Sequence, residues 1–305
     1  MAQAIKYNPN TLKLVPMMVW GLYLIAWAIG DRPWTLGSGL LLISWAWLAC
    51  ISGNVYIVGL NQIEDVAIDR VNKPHLPLAS GEFSHQAGQM IVAIAGILAV
   101  AIAALSQGPF LLATVGLSLL IGTAYSRPPL RLKRFPFWAS VCILSVRGMI
   151  VNLGLFLHYH QQLGGRVLIP GSVWALTLFI LVFSFAIAIF KDIPDLEGDR
   201  QYNITTFTVR LGQQAVFNLA RWVLTACYLG MVLFSTLIPG VNTSFLVVTH
   251  LAAIAWFWYL SFKVNLRTHP RTGVNLSYPQ LYQFIWKLFF VEYLIFPMAC
   301  FLGRG

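Results

Sequence analysis

Two groups of oxygen-bearing side chains have the composition and spacing of metal-binding motifs. The first group is Asn61, Asp65 and Asp69, and the second is Asp192, Asp195 and Asp199. On a helix, intervals of three or four residues place side chains on one face. Mg²⁺ prefers oxygen ligands, and it usually joins one or two protein carboxylates to substrate phosphates. The two groups therefore predict two Mg²⁺-binding faces. Together these faces would hold about two ions, which would bridge the protein to one diphosphate.

Basic side chains near these motifs are candidates for binding the phosphates. They are Arg70, Lys73, Arg131, Lys133, Arg134 and Lys191. Together with the metal, such cations would neutralise charge on a departing pyrophosphate, so that an allylic carbon–oxygen bond ionises. The run from Arg131 to Arg134 has an alternative interpretation, because basic residues also accumulate in loops on one side of a membrane. Arg147 is more informative, since a charge within an apolar segment is costly unless it serves a site.

The segments that carry these residues have the composition of a membrane protein. The chain has 305 residues, of which 58% are hydrophobic and 10% charged, and its mean hydropathy is +0.72. Apolar runs long enough to span a bilayer lie near residues 12–30, 38–60, 88–105, 110–126, 137–158, 171–190, 216–237, 244–262 and 281–301. We expect one all-α polytopic domain over residues 1–305, with nine transmembrane helices around a central cavity and no removable targeting segment.

The charges of the loops predict how this domain lies in the membrane. Most Lys and Arg residues fall in the N-terminal segment and in the loops after the second, fourth, sixth and eighth helices, which the positive-inside rule assigns to the cytoplasm. The net charge of +10 is thus a topology signal, and no nucleic-acid partner is expected. Most of the acids lie in only two of these loops, which indicates a site for metal and a polyanion.

The two acidic motifs also suggest an internal duplication. The same number of residues separates Asp65 from Asp195 and Asp69 from Asp199. Each motif would then follow the second helix of a four-helix unit. We expect pseudo-repeats at about 12–135 and 137–275, with an additional helix at about 281–301.

The motifs and their flanks resemble the UbiA-type membrane prenyltransferases. The paired motifs resemble those of that family, and nine helices is its usual number. The flanks resemble its homogentisate phytyltransferase branch, particularly the cyanobacterial type. They read Asn72-Lys-Pro-x-Leu-Pro-Leu-Ala-Ser-Gly81, Tyr125-Ser-x-Pro-Pro-x-Arg-Leu-Lys-Arg134, Val146-Arg-Gly-x-x-Val-Asn-Leu-Gly154 and Phe190-Lys-Asp-x-Pro-Asp-x-Glu-Gly-Asp-Arg200. The resemblance runs from about Cys50 to Tyr293.

This resemblance implies a reaction and roles for particular residues. Phytyl diphosphate would ionise and alkylate homogentisate, with loss of CO₂ and pyrophosphate, to give 2-methyl-6-phytylbenzoquinol for tocopherol biosynthesis. The six motif residues would organise Mg²⁺ and diphosphate, and the loop from Tyr125 to Arg134 would close over the site. We expect Arg147 to bind the acceptor carboxylate, assisted by Lys191 or Asn152. The protein would lie in a cyanobacterial plasma or thylakoid membrane, with the site toward the cytoplasm.

The prenyl chain is expected to lie in a tunnel between helices. Apolar side chains predicted to line it are Phe183, Phe185, Phe284, Phe289 and Phe290. Since each of these is also typical of ordinary packing between helices, the spacing alone does not decide between the two interpretations.

Two alternatives to this function remain at the level of sequence. Another aromatic prenyltransferase would make plastoquinone or menaquinone precursors, or would act on a tetrapyrrole as a chlorophyll synthase. A secondary transporter also combines repeats with intramembrane charges, but its acids are expected near the bilayer midplane on broken helices. The acids here lie at helix ends, which favours an enzyme whose substrate headgroup enters from water.

Overall fold

The computed structural model describes residues 9–30, 36–194, 196, 200, 206–264 and 276–304, without the side chains of 9–14, 36, 38 and 136. Its regular elements are all helices. They are α1 (Pro9–Ile29), α2 (Leu36–Glu64), α3 (Val66–Asn72), α4 (His85–Leu105), α5 (Pro109–Ser126), α6 (Pro136–Leu144), α7 (Val151–Gln162), α8 (Gly171–Asp192), α9 (Phe207–Leu211), α10 (Gln213–Phe234), α11 (Thr243–Phe262) and α12 (Tyr278–Leu302). A π-helical turn, Ser145–Ile150, joins α6 to α7.

Eight helical spans among the described residues are long and apolar enough to cross a membrane. They are Gly39–Glu64, His85–Leu105, Pro109–Ser126, Phe137–Gln162, Gly171–Asp192, Gln213–Leu237, Thr243–Phe262 and Tyr278–Leu302. A ninth apolar helix, Val15–Ile29, is shorter. These spans match the apolar runs of the sequence to within a few residues. The chain is therefore a multi-pass integral membrane protein, and the prediction of an all-helical fold is confirmed.

The ends of several helices are fixed by local sequence signals. Ser84 accepts a hydrogen bond from the amide of Ala87 at the start of α4, and Asn242 accepts one from Phe245 at the start of α11. A capping box, with Ser277 and Gln280 as its two members, starts α12. Such caps satisfy amide groups that have no partner inside the helix. They explain why the boundaries agree well with those predicted from the sequence.

The helices pack so that the last one contacts both halves of the chain. α12 packs against α1, α8 and α11, while α2 packs against α4, and α8 packs against α10. The buried core is continuous through these contacts and is rich in aromatic side chains such as Tyr23, Phe183 and Tyr293. Large apolar side chains on the outer faces, such as Ile97 and Leu120, are exposed. In a bilayer these faces contact lipid.

Candidate active site

The first acidic motif lies where one helix ends and another begins. The sequence predicted that Asn61, Asp65 and Asp69 lie on one continuous helix, and the structure corrects this. α2 ends at Glu64, and Asp65 has φ −117° and ψ 15°, outside the helical range. The Asp65 amide donates to Gln62, three residues back, whereas the Asp69 amide donates to the Asp65 carbonyl in the usual helical pattern. The local tightening redirects the chain at Asp65 and leaves this carboxylate at the helix end.

The Asp65 carboxylate forms two ion pairs with the loop after α5. One oxygen lies 3.1 Å from Arg131 Nη2 and the other 2.6 Å from Lys133 Nζ. Arg131 also donates to the Glu64 carbonyl at 3.2 Å. The pKa of Lys133 is lowered chiefly by burial, and the hydrogen bond to Asp65 opposes this effect. The structure thus brings a motif carboxylate together with two of the cations that the sequence proposed for phosphate binding.

The backbone of the loop is arranged to direct Arg131 toward Asp65. Arg131 has φ 38° and ψ 54°, in the left-handed region, immediately before the short 3₁₀ turn Leu132–Arg134. A non-glycine residue adopts this region at a cost that surrounding contacts must offset. Such residues are concentrated at functional sites. The two ion pairs of Asp65 are contacts that hold the loop in this conformation.

The other residues near the first motif are placed differently. Asn61 Nδ2 lies 3.4 Å from Ser126 Oγ, so the end of α2 contacts the end of α5 next to Tyr125. Asp69 is buried, with 8% of its surface exposed. Three predicted phosphate ligands are less enclosed: Arg70 and Arg134 are exposed, and Lys73 is partly exposed at the end of α3.

The second motif is described only at its start. Lys191 and Asp192 are the last two residues of α8, where Lys191 is exposed and Asp192 partly exposed. Tyr278, at the start of α12, donates a hydrogen bond to the carbonyl of Phe190. Asp195 and Asp199 lie outside the described residues, so their predicted place in a metal site stays a prediction.

Arg147 projects from the π turn between α6 and α7. Its guanidinium carbon lies 5.2 Å from the centre of the Trp286 ring on α12. Tyr125 lines the same cavity as Arg147, and Tyr282 contacts Trp286 on α12. Within the described part of the chain, no carboxylate forms an ion pair with Arg147. An arginine without a carboxylate partner that also lines a cavity is a candidate for binding an anionic ligand.

A ladder of aromatic rings connects Arg147 with the end of α8. Tyr278, Tyr282 and Trp286 follow one another on α12 at helical intervals, with successive ring centres 6.4 Å and 6.3 Å apart. Tyr278 contacts Phe190, next to the second motif, and Trp286 contacts Arg147. This series of contacts links Arg147 to the start of the second motif, and Tyr125, which precedes Ser126 at the end of α5, lines the same cavity as Arg147.

Asn152 does not point its amide into open space. Its side chain is fully buried. Nδ2 donates to the carbonyls of Gly148 at 2.6 Å and Arg147 at 3.2 Å, and Oδ1 accepts from the Tyr293 hydroxyl at 2.8 Å. Its polar atoms are thus engaged within the protein. The sequence assigned Asn152 to the acceptor, whereas its contacts are with the backbone of the turn that carries Arg147.

The π turn packs closely on α8 because residue 148 is glycine. A Cβ at Gly148 would lie 2.7 Å from Leu181 Cγ and 3.3 Å from its Cα. We therefore expect Gly148→Ala to destabilise the protein by about 1–3 kcal/mol, because the turn or α8 must move. Thermal unfolding in detergent would measure this. Gly116→Ala on α5 is the control, since nothing lies within 4 Å of its added methyl group. Equal unfolding temperatures for the two variants would contradict the expectation.

An apolar cavity opens beside Arg147 and Tyr125. Its volume is about 250 Å³, and it lies between α1, α2, α5 and the α6–α7 span. Apolar and small side chains form most of its wall: Val15, Met18, Val19, Gly53, Ile57, Val58, Val115, Ile121, Gly122, Ile143, Val146, Val151 and Leu155. Ser118, Thr114 and Asn54 add a few polar groups. The cavity thus has a mostly apolar wall that includes one cation, Arg147.

The phenylalanines expected to line a tunnel lie in the packed core. Phe183 and Phe289 are fully buried, and their ring centres are 5.4 Å apart in an edge-to-face arrangement. Phe290 is also buried, and Phe185 and Phe284 pack against the same core. The wall of the cavity beside Arg147 is instead formed by aliphatic residues of α1, α2, α5 and α7.

The donor set of the first motif fits Mg²⁺. Asn61, Asp65 and Asp69 offer only oxygen atoms or an amide, which are ligands of a hard cation. Among the described residues, no three His, Cys, Asp or Glu side chains lie together as a metal-binding group. The sequence pairs this motif with a second acidic motif. Two residues of the second motif, Asp195 and Asp199, lie outside the described residues. The residues described here thus supply one side of the expected arrangement.

Sequence reasoning missed several residues of this site. Trp286 contacts Arg147, Tyr282 contacts Trp286, and Tyr293 donates to Asn152, yet all three read as ordinary aromatic residues of an apolar helix. One signal was present: their intervals of four and seven residues place them on one face of the helix. The π turn itself has no recognisable sequence pattern.

Comparisons with known proteins identify the family of this chain. Residues 14–288 match the model of the UbiA prenyltransferase family. The chain is 49% identical over 298 residues to homogentisate phytyltransferase of Synechocystis sp., covering 97% of this chain and 94% of that protein. It is 36% identical over 292 residues to homogentisate solanesyltransferase of Arabidopsis thaliana, covering 94% and 71%.

Solved structures show the same fold at low sequence identity. A UbiA homologue from Aeropyrum pernix has a TM-score of 0.63 at 18% identity, covering 97% of this chain and 98% of that one. A UbiA homologue from Archaeoglobus fulgidus, whose structure contains GPP and Mg²⁺, has a TM-score of 0.58 at 18% identity, covering 96% and 99%. With the match to the family model over most of the chain, these findings confirm the resemblance noted in the motifs: the protein belongs to the UbiA prenyltransferase family.

Proposed function

We propose that this protein transfers the phytyl group of phytyl diphosphate to homogentisate. In this reaction the allylic carbon–oxygen bond breaks, pyrophosphate leaves, and a bond forms between the phytyl carbon and the aromatic ring. The acetate carboxyl group leaves as CO₂, which gives 2-methyl-6-phytylbenzoquinol for tocopherol biosynthesis. The observation that carries this proposal is the similarity to the Synechocystis enzyme over nearly the full chain.

The diphosphate would bind where α2 meets the loop after α5. Asp65 holds Arg131 and Lys133 at this point, so two cations are already near the expected phosphate position. When a diphosphate enters, these cations would turn toward its oxygens, and the Asp65 carboxylate would become available to a metal. The charge-assisted hydrogen bonds that result are stronger than neutral ones. Arg70, Lys73, Arg134 and Lys191 are further candidates for the same role.

The proposed Mg²⁺ ligands come from both motifs. Among the described residues they are Asn61, Asp65, Asp69 and Asp192, and Asp195 and Asp199 would complete the ligand set. When bound, Mg²⁺ supplies charge stabilisation for the departing pyrophosphate. The protein's own contribution is to hold the diphosphate at the membrane surface with the allylic carbon facing the apolar cavity. Solved UbiA homologues with Mg²⁺ and a prenyl diphosphate support this assignment of the metal.

The acceptor would bind beside Arg147. Homogentisate carries one carboxylate, and Arg147 offers an unpaired guanidinium in the cavity wall. A guanidinium binds a carboxylate through two parallel hydrogen bonds, which fixes the orientation of the ring as well as its position. The aromatic side chains of Tyr125 and Trp286 lie nearby and would stack against the ring of the acceptor.

The phytyl chain would extend from the diphosphate into the apolar cavity. Filling this cavity with Ser118→Phe should lower phytyl transfer about tenfold more than geranyl transfer, because the shorter chain does not reach as deep. Leu120→Phe on the exposed face of the same helix is the control. Initial rates with the two diphosphates would give the ratio. An equal loss with both donors would contradict the placement of the chain.

We also propose the arrangement in the membrane. Helix α1 would cross together with the eight long spans, which gives nine crossings. They would be arranged as two four-helix pseudo-repeats and a last helix around the cavity. The basic loops would face the cytoplasm, and the membrane would be the plasma or thylakoid membrane of a cyanobacterium. The similarity to a cyanobacterial enzyme supports the last point.

Identification of products tests the proposed function directly. Membranes containing the protein would receive homogentisate and an equal mixture of phytyl, geranylgeranyl and solanesyl diphosphates, and mass spectrometry would identify the quinols. We expect the phytyl product to predominate and its formation to stop when EDTA removes Mg²⁺. A solanesyl product would favour the alternative function of a homogentisate solanesyltransferase, since such an enzyme is among the relatives. Absence of any prenylated quinol would overturn the proposal.

A further inference from the structure

The π turn that carries Arg147 is held by a hydrogen-bonded connection to the last helix. The amide of Val151 donates to the carbonyl of Val146, five residues back, so the turn is wider than an α-helical one. A π turn inside an α-helix is rare and is frequently found at functional sites. It moves Arg147 out of the position that a regular helix would give it.

Asn152 closes this turn from its C-terminal side. Its Nδ2 donates to the carbonyls of Arg147 and Gly148, which belong to the turn itself. An apolar surrounding makes each unmet carbonyl costly, so these two bonds favour the π conformation over competing ones. Because the Arg147 carbonyl is one of the acceptors, Asn152 fixes the backbone from which the guanidinium extends.

Tyr293 fixes Asn152 in turn. Its hydroxyl donates to Asn152 Oδ1 at 2.8 Å, and both side chains are fully buried. This bond determines which way the Asn152 amide faces, because a hydroxyl that donates to Oδ1 leaves Nδ2 to the carbonyls. The ring of Tyr293 is itself held by α1, where its backbone and Cβ lie against Gly21.

We propose that Asn152 and Tyr293, called here the Asn152–Tyr293 clamp, are positioning residues for Arg147. The clamp would hold the π turn so that the guanidinium faces the acceptor carboxylate. This inference rests on the proposed role of Arg147 in the preceding subsection. It gives Asn152 a role through the backbone of Arg147, in place of direct contact with the substrate.

The test measures a carboxylate preference in the full-length enzyme. This preference is the inhibition constant of the neutral methyl ester of homogentisate divided by the KM of homogentisate. We expect Tyr293→Phe to lower it roughly tenfold or more, because a small displacement of a binding group has effects of this size. The KM of phytyl diphosphate should change by less than about twofold, since its charged diphosphate is proposed to bind at Asp65, Arg131 and Lys133 rather than at Arg147.

Tyr159→Phe is a matched control. Tyr159 is also fully buried on α7, and its hydroxyl has no hydrogen-bond partner among the described residues. It should leave the carboxylate preference unchanged. A double variant, Asn152→Leu with Tyr293→Phe, removes both partners of the hydrogen bond between these side chains, so neither side chain keeps a buried polar atom without a partner. The carbonyls of Arg147 and Gly148 lose the Asn152 donor in this variant. It should show the same reduced preference as Tyr293→Phe.

The possible results separate this inference from the proposed function. If Arg147→Gln removes the preference and both Tyr293→Phe and the double variant retain it, the clamp is refuted and the proposed function stands. If Arg147→Gln also retains the preference, the assignment of the acceptor to Arg147 fails, and the clamp fails with it. If Tyr293→Phe raises the KM of donor and acceptor equally, its role is purely structural and the inference is overturned. Should Tyr293→Phe fail to fold, the double variant alone decides by the same criterion.

Discussion

Replacing Asp65 with asparagine is expected to reduce Mg²⁺-dependent pyrophosphate release on the order of a thousandfold. Asparagine keeps the shape and one oxygen of the side chain but removes the negative charge that attracts a divalent cation. The same change frees Arg131 and Lys133, so phosphate binding itself should persist or strengthen. The loss should therefore appear in kcat more than in the KM of the prenyl diphosphate.

A coupled assay for pyrophosphate, with purified protein in detergent, would measure this effect. Glu82→Gln is the control, because Glu82 is an exposed acid on the chain that follows the same motif. It should retain full activity. Size-exclusion chromatography would establish that the Asp65 variant folds. If that variant turned over at the normal rate, the assignment of Asp65 to metal binding would be refuted.

Replacing Arg147 with glutamine is expected to raise the KM of homogentisate roughly a hundredfold or more, since a buried charged hydrogen bond to the carboxylate is lost. The affinity for phytyl diphosphate should change little. Arg147→Lys should recover part of the loss, because lysine restores the charge without the two-pronged geometry. The ring of Trp286 would then face an ammonium group in place of the guanidinium.

Arg221→Gln supplies the comparison for Arg147. Arg221 also lies within an apolar helix, and its guanidinium carbon is 4.9 Å from the Phe217 ring centre and 4.8 Å from that of Trp258. It does not line the cavity. We expect its replacement to leave the KM of homogentisate unchanged. Steady-state kinetics at saturating donor would distinguish the two arginines, and similar effects of both changes would argue against a specific carboxylate site.

The helices were predictable because their signals are local. Apolar length alone identifies a spanning segment, and breaks such as Gln107-Gly108-Pro109 separate neighbouring spans. The structure accordingly starts α5 at Pro109 and ends α4 at Leu105.

The details of the site depended on contacts that no local pattern encodes. A helical interval of four residues predicted a continuous helix through Asp65, but the ion pairs with Arg131 and Lys133 lie at a break. The π turn at Arg147 depends on Asn152 and on Tyr293, a residue of the last helix far away in sequence. Such long-range contacts become visible only when the helices are assembled.

The candidate site was nevertheless found in part from the sequence alone. Charge in an apolar chain was the signal for four residues: Asp65, Arg131, Lys133 and Arg147. The structure places Asp65 in direct contact with Arg131 and Lys133. Asn152 was selected by position, and its contacts indicate a supporting role. A charged side chain in apolar surroundings is a strong signal of a functional site, because burying its charge costs free energy. A neutral amide is a weaker signal, because it also serves many structural roles.

The connection between Tyr293 and Asn152 has a consequence for biosynthesis. Helices of a membrane protein enter the bilayer in order as the ribosome extends the chain, and α12 is the last spanning helix described. Until α12 is inserted, Asn152 lacks the hydroxyl that orients it, and Arg147 lacks the ring of Trp286. A chain in which α12 is not yet inserted is thus expected to lack the acceptor site around Arg147.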